Sequence, residues 1–350
     1  MKASKWNALV LGGTLGMLFS VAAATVVIDP FLHYHGPLAG LEYPLLDERY
    51  QNDGIARHFS YDALITGTSM TQNFKPSEFD ALWGAEAVKI AFSGASYREV
   101  DENVRRALTY NDHVRYVVRS LDSSMLNVPA EYNAYDGYPE YLFDDNPFND
   151  VRYLLNKEVV PKTLAVLNYT RAGNVTPSRD EYGSWSRYKV FGREMVLASC
   201  AELGDFKEEI RLSEADRKNI RENVQRNVLR TALDNPQVTF YLFFPPYSIC
   251  YWDALVRTKQ LGAQLDAEEM AVELLLQADN IRIFAFGDNL GLAEDLDNYT
   301  DALHYGEWVN SDILRWIKEG EYELRADDYE AYYSRIRKLY TEYDYSWLWE

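Results

Sequence analysis

Two short segments of the sequence carry residue types that can perform nucleophilic catalysis. The first is Gly67-Thr68-Ser69, which directly follows the apolar run YDALIT, and a helix can begin in the residues after it. A serine at such a strand-to-helix turn is exposed, and the amides at a helix start stabilise negative charge beside it. Ser69 is therefore a candidate nucleophile, although Gly, Thr and Ser are also ordinary turn residues.

The second segment is Asp301-Ala302-Leu303-His304, which follows the last apolar run of the chain. In a turn, this spacing lets the carboxylate hold one imidazole nitrogen while the other faces a serine, which makes the hydroxyl nucleophilic at neutral pH. Most histidines are ordinary surface or core residues, but His304 combines a position after a strand with an acid three residues earlier. We predict that Asp301 orients His304 and that His304 is the base.

Five apolar or aromatic runs can position these segments. They are separated mostly by stretches with helical spacing, such as Tyr97 to Leu108, Ser213 to Leu233 and Ala254 to Leu276. This alternation predicts an α/β fold with a five-stranded, mainly parallel sheet covered by helices, with ligand sites at the carboxyl ends of the strands. The five runs are residues 61–66, 87–92, 115–121, 238–244 and 281–286.

An uncharged apolar run of 21 residues extends from Ala8 to Ile28, with Lys2 and Lys5 before it and Asp29 after it. Its length suits one crossing of the hydrocarbon core, and the lysines would keep the N-terminus in the cytoplasm. We predict a transmembrane signal anchor within residues 1–29, with the rest of the chain outside the cell. A cleaved signal peptide is the alternative, because the alanines at 22–24 could form a cleavage site.

The rest of the chain divides by composition. Residues 30–59 are rich in Pro and Gly and are predicted to form an extended lead-in. A catalytic domain is predicted over 60–325, with an insertion at about 127–209 that is rich in Tyr, Asp, Asn and Gly, and an aromatic helix over 326–350 is predicted to pack on the domain. The insertion's aromatic rings could stack on sugars, or they could simply pack against the core.

Composition excludes some functions. The formal net charge of −19 would repel a polyphosphate, so we expect no nucleic-acid partner. Cys200 and Cys250 are the only cysteines, and neither has the spacing of a zinc site. They could form one disulfide or remain as two buried thiols, and the thiols are the simpler interpretation.

Taken together, three motifs resemble blocks I, II and V of the SGNH (GDSL-like) hydrolase superfamily. They are Gly67-Thr68-Ser69, Gly94 in the segment FSGAS, and Asp301-Ala302-Leu303-His304, in an order and strand context that agree over about residues 60–320. The resemblance implies a three-layer α/β/α sandwich with Ser69, Asp301 and His304 as catalytic residues. It also implies that the amides of Ser69 and Gly94 form the oxyanion hole and that no metal or cofactor is needed.

With its apolar N-terminus, the chain resembles exported SGNH-like proteins that modify cell-envelope polymers, such as the D-alanyl-lipoteichoic-acid accessory and alginate O-acetylation proteins. The resemblance implies a cell-membrane protein whose extracellular domain is an O-acyltransferase or esterase. Its substrate would be a cell-surface polysaccharide or teichoic-acid-like polymer, and a membrane-bound O-acyltransferase would be a partner. The alternative is a non-catalytic scaffold subunit that positions the polymer or that partner.

The match departs from the family at block III, which normally supplies an Asn side chain to the oxyanion hole. The third apolar run is followed here by Asp122, and an ionised carboxylate would repel an oxyanion. Asp122 could be protonated, could orient Arg119 or a substrate hydroxyl, or could be structural, and Asn73 is a candidate substitute donor. This departure favours transfer over plain hydrolysis, and it is also the reason to keep the scaffold alternative.

Overall fold

A computed structural model describes residues 3–135, 137, 139–200 and 206–349. Three predicted features include residues outside this description. They are the N-terminal anchor, at Lys2; the insertion, at residues 136, 138 and 201–205; and the C-terminal helix, at its final residue. The strands are β1 (Ala63–Gly67), β2 (Ala87–Ala91), β3 (Tyr116–Ser120), β4 (Thr239–Phe244), β5 (Ile281–Ala285) and β6 (Glu323–Leu324). The α-helices are α1 (Ala3–Ile28), α2 (Glu48–His58), α3 (Pro76–Trp83), α4 (Tyr97–Tyr110), α5 (Val151–Leu154), α6 (Val159–Arg171), α7 (Arg193–Cys200), α8 (Glu214–Val224), α9 (Arg230–Asp234), α10 (Ile249–Arg257), α11 (Leu261–Leu275), α12 (Leu290–Glu294), α13 (Glu307–Glu319) and α14 (Tyr329–Glu342).

The chain divides into two compact units, and neither is continuous in sequence. One unit comprises residues 1–59 and 137–178, and the other comprises residues 60–136 and 179–350. The sheet and both segments predicted to carry chemistry belong to the second unit. Among the described residues of the predicted insertion, those between 137 and 178 therefore belong to the first unit, and those in 127–135 and 179–209 belong to the second.

The second unit contains one mixed sheet with the strand order β2-β1-β3-β4-β5-β6. The first five strands are parallel, and β6 is antiparallel to β5. The α/β class is as predicted, and the five parallel strands fall on the five apolar runs. The sheet nevertheless has six strands rather than five, because β6 contains only two residues and is too short to show any periodicity in the sequence.

Local signals set the bounds of the helices in this unit. Ser96 caps α4 in a capping box with Glu99, and Ser213 caps α8 in the same way with Asp216. The predicted helix at 254–276 is instead two helices, α10 and α11, because Lys259 between them has a left-handed φ of 57°. The predicted helix from Ser213 to Leu233 contains a π-helical segment, Gln225–Leu229, between α8 and α9.

In the first unit, α1 exposes most of its apolar side chains and is long and apolar enough to cross a membrane. The lead-in is not wholly extended as predicted, because its second half forms α2. This helix lacks an apolar stripe; instead it buries polar side chains, including Asn52 and Asp53. Gly54 allows a close approach, since a Cβ there would lie 2.3 Å from the Leu32 carbonyl oxygen.

The C-terminal aromatic segment forms α14 in the second unit. Tyr332, Tyr333, Ile336 and Tyr340 are its buried side chains, at the three-to-four spacing seen in the sequence. The ring of Tyr340 stacks on Trp252 at 4.0 Å between centroids. These contacts add a large apolar area to the core that supports the sheet.

Candidate active site

Ser69 lies in the turn that follows β1, at the carboxyl end of the parallel strands. Gly67 has a φ of 141°, and a Cβ there would lie 2.3 Å from Ser120 Oγ, so only glycine fits. The turn is closed by Thr71, whose amide and hydroxyl donate to the Thr68 carbonyl oxygen at 3.0 and 2.8 Å. The sequence Gly-Thr-Ser therefore ends β1 and places the serine at the carboxyl end of the parallel strands.

Ser69, His304 and Asp301 form a continuous hydrogen-bonded chain. Ser69 Oγ lies 2.8 Å from His304 Nε2, and His304 Nδ1 lies 2.8 Å from Asp301 Oδ2. An ionised carboxylate only accepts hydrogen bonds, so in the neutral imidazole Nδ1 carries the hydrogen and Nε2 accepts from the serine hydroxyl. This tautomer is the one that a general base requires.

The Asp301 carboxylate also shapes the turn that carries the histidine. Its Oδ1 accepts from the amides of Leu303 and His304, both at 2.8 Å. Burial alone would raise the pKa of Asp301, but the hydrogen bonds and the charge of His304 together with these amides lower it below its usual value. Asp301 is thus ionised at neutral pH, as the orienting role demands.

Residues after His304 bring the two segments together. Tyr305 and Asn310 both donate side-chain hydrogen bonds to the carbonyl oxygen of Met70, at 3.3 and 3.0 Å. Met70 follows the serine directly, so these bonds fix the separation between the histidine segment and the serine turn. The two donors are buried, and no sequence pattern identified them.

In the part of the chain that the structure describes, the backbone amides of Ser69 and Gly94, the two predicted oxyanion donors, are free to bind a ligand. Ser69 and Gly94 line one cleft of about 520 Å³. Within the described chain, neither backbone amide has a hydrogen-bond partner. Gly94 adopts a left-handed φ of 63°, which glycine tolerates without strain. Unpaired amides beside a nucleophile are the arrangement that stabilises a tetrahedral oxyanion.

Asp122 is buried behind the serine turn rather than free in the cleft. Its Oδ1 accepts from Thr68 Oγ1 at 2.7 Å, and its Oδ2 accepts from Ser120 Oγ at 2.8 Å. Burial raises its pKa, although the two hydroxyl bonds and the charge of His304 oppose the shift. Asp122 therefore supports Thr68, the residue before Ser69, and its carboxyl group provides no amide donor at the point where the resemblance led us to expect an Asn.

Arg119 is not brought to the cleft. Its guanidinium is buried, where it pairs with Asp101 at 3.4 Å and donates to the carbonyl oxygens of Tyr97 and Asn227. No hydrogen bond or ion pair joins Arg119 to Asp122 in the described part of the chain. Its predicted role at the site is therefore replaced by a structural one between β3 and α4.

Asn73 positions a segment of the predicted insertion. Its Oδ1 accepts from the amides of Trp185 and Ser186, both at 3.0 Å, and from Ser184 Oγ at 3.2 Å. The oxygen of its amide group is thus committed to this segment. A substitute oxyanion donor would use the Nδ2 hydrogens instead, so the donor role of Asn73 stays a prediction. We call residues 183–189 the cleft segment.

Trp185 in the cleft segment contacts both His304 and Ser69. Its indole lies edge-to-face with the imidazole of His304 at 5.5 Å and 86°, and its Nε1 donates to the Ser69 carbonyl oxygen at 3.2 Å. The sequence showed only an aromatic-rich insertion and did not single out this tryptophan.

The cleft is lined by both polar and aromatic groups. Lys189 is exposed at the cleft, and it forms no ion pair within the described residues. Those residues also contain no cluster of three or more His, Cys, Asp or Glu side chains that could hold a metal ion. The lining residues are Ser69, Gln72, Ser93, Gly94, Gly183, Trp185, Lys189, Thr300, Asp301 and His304.

Comparison with known proteins places the chain in no family. No protein-family model and no curated protein matches it. One solved structure that aligns with it is a chain from Streptococcus pneumonia provisionally described as a platelet activating factor. The alignment has a TM-score of 0.41 and 11% identity, and it covers 78% of this chain and 90% of that chain. Similarity at this level assigns neither a fold family nor an activity.

Proposed function

We propose that this protein is an SGNH-type serine O-acyltransferase or esterase that acts on a cell-surface polysaccharide or teichoic-acid-like polymer through an acyl-serine intermediate. The observation that carries the proposal is the 2.8 Å approach of Ser69 Oγ to His304 Nε2, with Asp301 on the opposite imidazole nitrogen. Ser69 meets two residues that lie more than 230 positions later in the chain, in the order that nucleophilic catalysis requires.

In the proposed reaction, His304 Nε2 takes the hydroxyl proton as Ser69 Oγ attacks the acyl carbonyl carbon. The amides of Ser69 and Gly94 stabilise the resulting oxyanion, and each such donor contributes roughly 3 to 4 kcal/mol in related reactions. The tetrahedral intermediate collapses as His304 returns the proton to the leaving alkoxide. An incoming hydroxyl, from water or from a sugar, then attacks the acyl-serine carbonyl carbon and loses its proton to His304. His304 returns this proton to Ser69 Oγ as the bond between the acyl group and the serine breaks.

Asp122 supports transfer over efficient hydrolysis in this proposal. The site offers two amide donors and a buried acid where the family has a third donor, so the oxyanion receives less stabilisation than in the hydrolases. A bound acceptor hydroxyl can offset that loss, because positioning it beside the serine lowers the entropic part of the barrier. The cleft, with Trp185 at its side, has room for a sugar ring.

The proposed location is the outer face of the cell membrane, with α1 as an uncleaved single-pass anchor. The length and apolar surface of this helix support the proposal. A membrane-bound O-acyltransferase that supplies the acyl group is the proposed partner. An anchored enzyme would remain beside such a donor and beside the polymer.

The experiment that tests the proposal compares the wild-type chain with Ser69→Ala in two assays. Hydrolysis of p-nitrophenyl acetate, with and without an added polyol, measures intrinsic acyl transfer, and chemical analysis of the cell envelope measures the biological product. We expect Ser69→Ala to lose both. A variant that keeps full ester turnover would overturn the proposed mechanism.

A non-catalytic scaffold subunit is the second candidate, and the acid in place of the block III Asn favours it. In that case Ser69→Ala would leave the envelope modification unchanged. Loss of the modification on deletion of residues 137–178, with Ser69→Ala unaffected, would select the scaffold function.

A further inference from the structure

Cys200 and Cys250 are brought close together by the packing of α7 against α10. Both side chains are buried as free thiols, and each acts on the pKa of the other. Cys200 is the last residue of α7, and Cys250 is the second residue of α10, so 49 residues separate them in the chain. The sequence alone could not show that these two positions approach.

The thiol pair lies beside the supports of the catalytic turn. Ser199, next to Cys200, accepts a hydrogen bond from the amide of Ala302 at 3.0 Å. Ser248, two residues before Cys250, donates its hydroxyl to the carbonyl oxygen of Ala302 at 2.8 Å, and its amide donates to the same oxygen at 3.2 Å. Ala302 lies between Asp301 and His304, so both polar groups of this one peptide residue are held by segments that carry the cysteines.

We propose that Cys200 and Cys250 form a disulfide in the mature protein and that this cross-link positions the turn that bears Asp301 and His304. The inference rests on the proposed function for the outward location of the domain, where disulfides persist. The cross-link would join the ends of α7 and α10 covalently. It would thereby hold Ser199 and Ser248 at a fixed distance on the two sides of Ala302.

The chemistry is an ordinary thiol–disulfide exchange. A thiol–disulfide oxidoreductase in its disulfide form is the oxidant. One cysteine, as its thiolate, attacks that disulfide to give a mixed disulfide, and the second thiol then displaces the oxidoreductase. Two S–H bonds of this chain break, one S–S bond forms, and the oxidoreductase leaves with two thiols.

In the folded chain, the two thiols shift each other's pKa in opposite directions. The interaction with Cys250 lowers the pKa of the Cys200 thiol, although burial opposes this shift. The interaction with Cys200 and burial raise the pKa of Cys250. Because both thiols are buried in the folded chain, the exchange would take place as the chain folds.

Peptide mapping of the full chain tests the cross-link directly. The protein is purified from membranes without reductant, unfolded in the presence of iodoacetamide, digested and analysed by mass spectrometry. We expect one cross-linked peptide pair that lacks two hydrogen atoms and appears as two alkylated peptides only after reduction. Quantitative alkylation of both cysteines without reduction would overturn the proposal. Because this readout needs no activity, it is independent of the proposed function.

The positioning role has a separate test in the same protein. Reduction with dithiothreitol should lower Tm by at least about 5 °C, since the cross-link closes a long loop. It should also lower kcat for p-nitrophenyl acetate more than it raises KM, because the turn carries the proposed base. The Cys200→Ser/Cys250→Ser double variant is the matched control and should not respond to reductant. An oxidised chain whose Tm and kcat are unchanged by reduction would overturn the positioning role.

Discussion

Asp122 shows how a single side chain can alter the oxyanion chemistry of the proposed site. Its two oxygens are engaged by Thr68 and Ser120, so it stabilises the serine turn from behind. Burial raises its pKa, which means that keeping the group ionised costs folding free energy at neutral pH. The turn therefore needs an acceptor at this position more than it needs a negative charge.

This requirement predicts different effects for two substitutions of Asp122. Asp122→Ala would leave two buried hydroxyls without an acceptor and should lower the free energy of unfolding by about 2 kcal/mol. Asp122→Asn retains an acceptor oxygen, places no charge in the interior, and should be at least as stable as the wild type at neutral pH. Urea unfolding monitored by tryptophan fluorescence measures both. Equal destabilisation by the two variants would mean that the charge itself is required.

At the level of the elements, the strands were the most predictable part of the fold. Each of β1 to β5 is buried on both faces, so each appears in the sequence as a near-continuous apolar run. The turn after β1 and the turn that carries His304 could also be predicted, because Gly-Thr-Ser and the DxxH spacing are local patterns. α2 could not, since its buried face is polar and depends on tertiary hydrogen bonds.

The roles of Asn73 and Trp185 in the cleft also could not be predicted from the sequence. Both depend on contacts between segments more than 100 residues apart, and an isolated Asn or Trp carries no signal for such a contact. Asn73 was predicted only as a candidate donor, for its distance of one helical turn from Ser69. Its neighbours decide its role, and those neighbours are set by the tertiary fold.

The hydrogen bonds to Asn73 predict that it holds the cleft segment in place. Asn73→Ala removes an acceptor for three donors and should lower ester turnover at least about 10-fold, because Trp185 loses its anchor beside His304. Asn73→Asp keeps the acceptor oxygen and should retain most of the turnover. Steady-state kinetics with p-nitrophenyl acetate compares the two variants. Equal losses in both would contradict the anchoring role.

The buried carboxyl group of Glu268 in α11 should make the free energy of unfolding depend on pH. Burial raises its pKa to about 7, although hydrogen bonds from Ser123 and Gln264 oppose the shift. The unfolded chain releases this proton at a lower pH than the folded chain. The free energy of unfolding should therefore fall as the pH rises from about 4.5 to about 7, by about 3 kcal/mol for the whole shift.

Glu268→Gln should remove this part of the pH dependence, because the amide does not titrate. Glu273→Gln, on an exposed position of the same helix, is the matched control and should leave the slope unchanged. Urea unfolding at a series of pH values between the two limits measures the slope. A wild-type slope that persists in Glu268→Gln would assign the effect to another buried acid, such as Asp122 or Asp101.

At the scale of the whole molecule, the alternation of apolar runs and helical stretches predicted an α/β chain, the uncharged run from Ala8 to Ile28 predicted an apolar N-terminal helix, and both are present. The division into two discontinuous units was not predictable, because residues 137–178 lie inside the predicted insertion yet fold with residues 1–59. Composition identifies a segment that interrupts a strand and helix alternation. It does not indicate which other part of the chain that segment will contact.

The proposed anchor predicts how the full chain behaves in cells. It should remain in the membrane pellet after extraction with alkaline carbonate, and protease added to intact protoplasts should degrade the domain. Leu15→Arg places a charge near the centre of α1, at a cost of roughly 2.5 to 3.5 kcal/mol for insertion, and should reduce the membrane-bound fraction. A mature N-terminus after Ala24, found by mass spectrometry, would identify a cleaved signal peptide instead.

The measurement that tests the nucleophile most directly is covalent trapping with an alkyl fluorophosphonate, followed by peptide mass spectrometry. We predict one phosphonyl group on Ser69, no adduct in Ser69→Ala, and labelling at least about 100-fold slower in His304→Ala, because the proposed general base is lost. Circular dichroism of each variant verifies that it is folded. A folded wild-type chain whose Ser69 stays unmodified, or reacts as fast without His304, would contradict the proposed catalytic site.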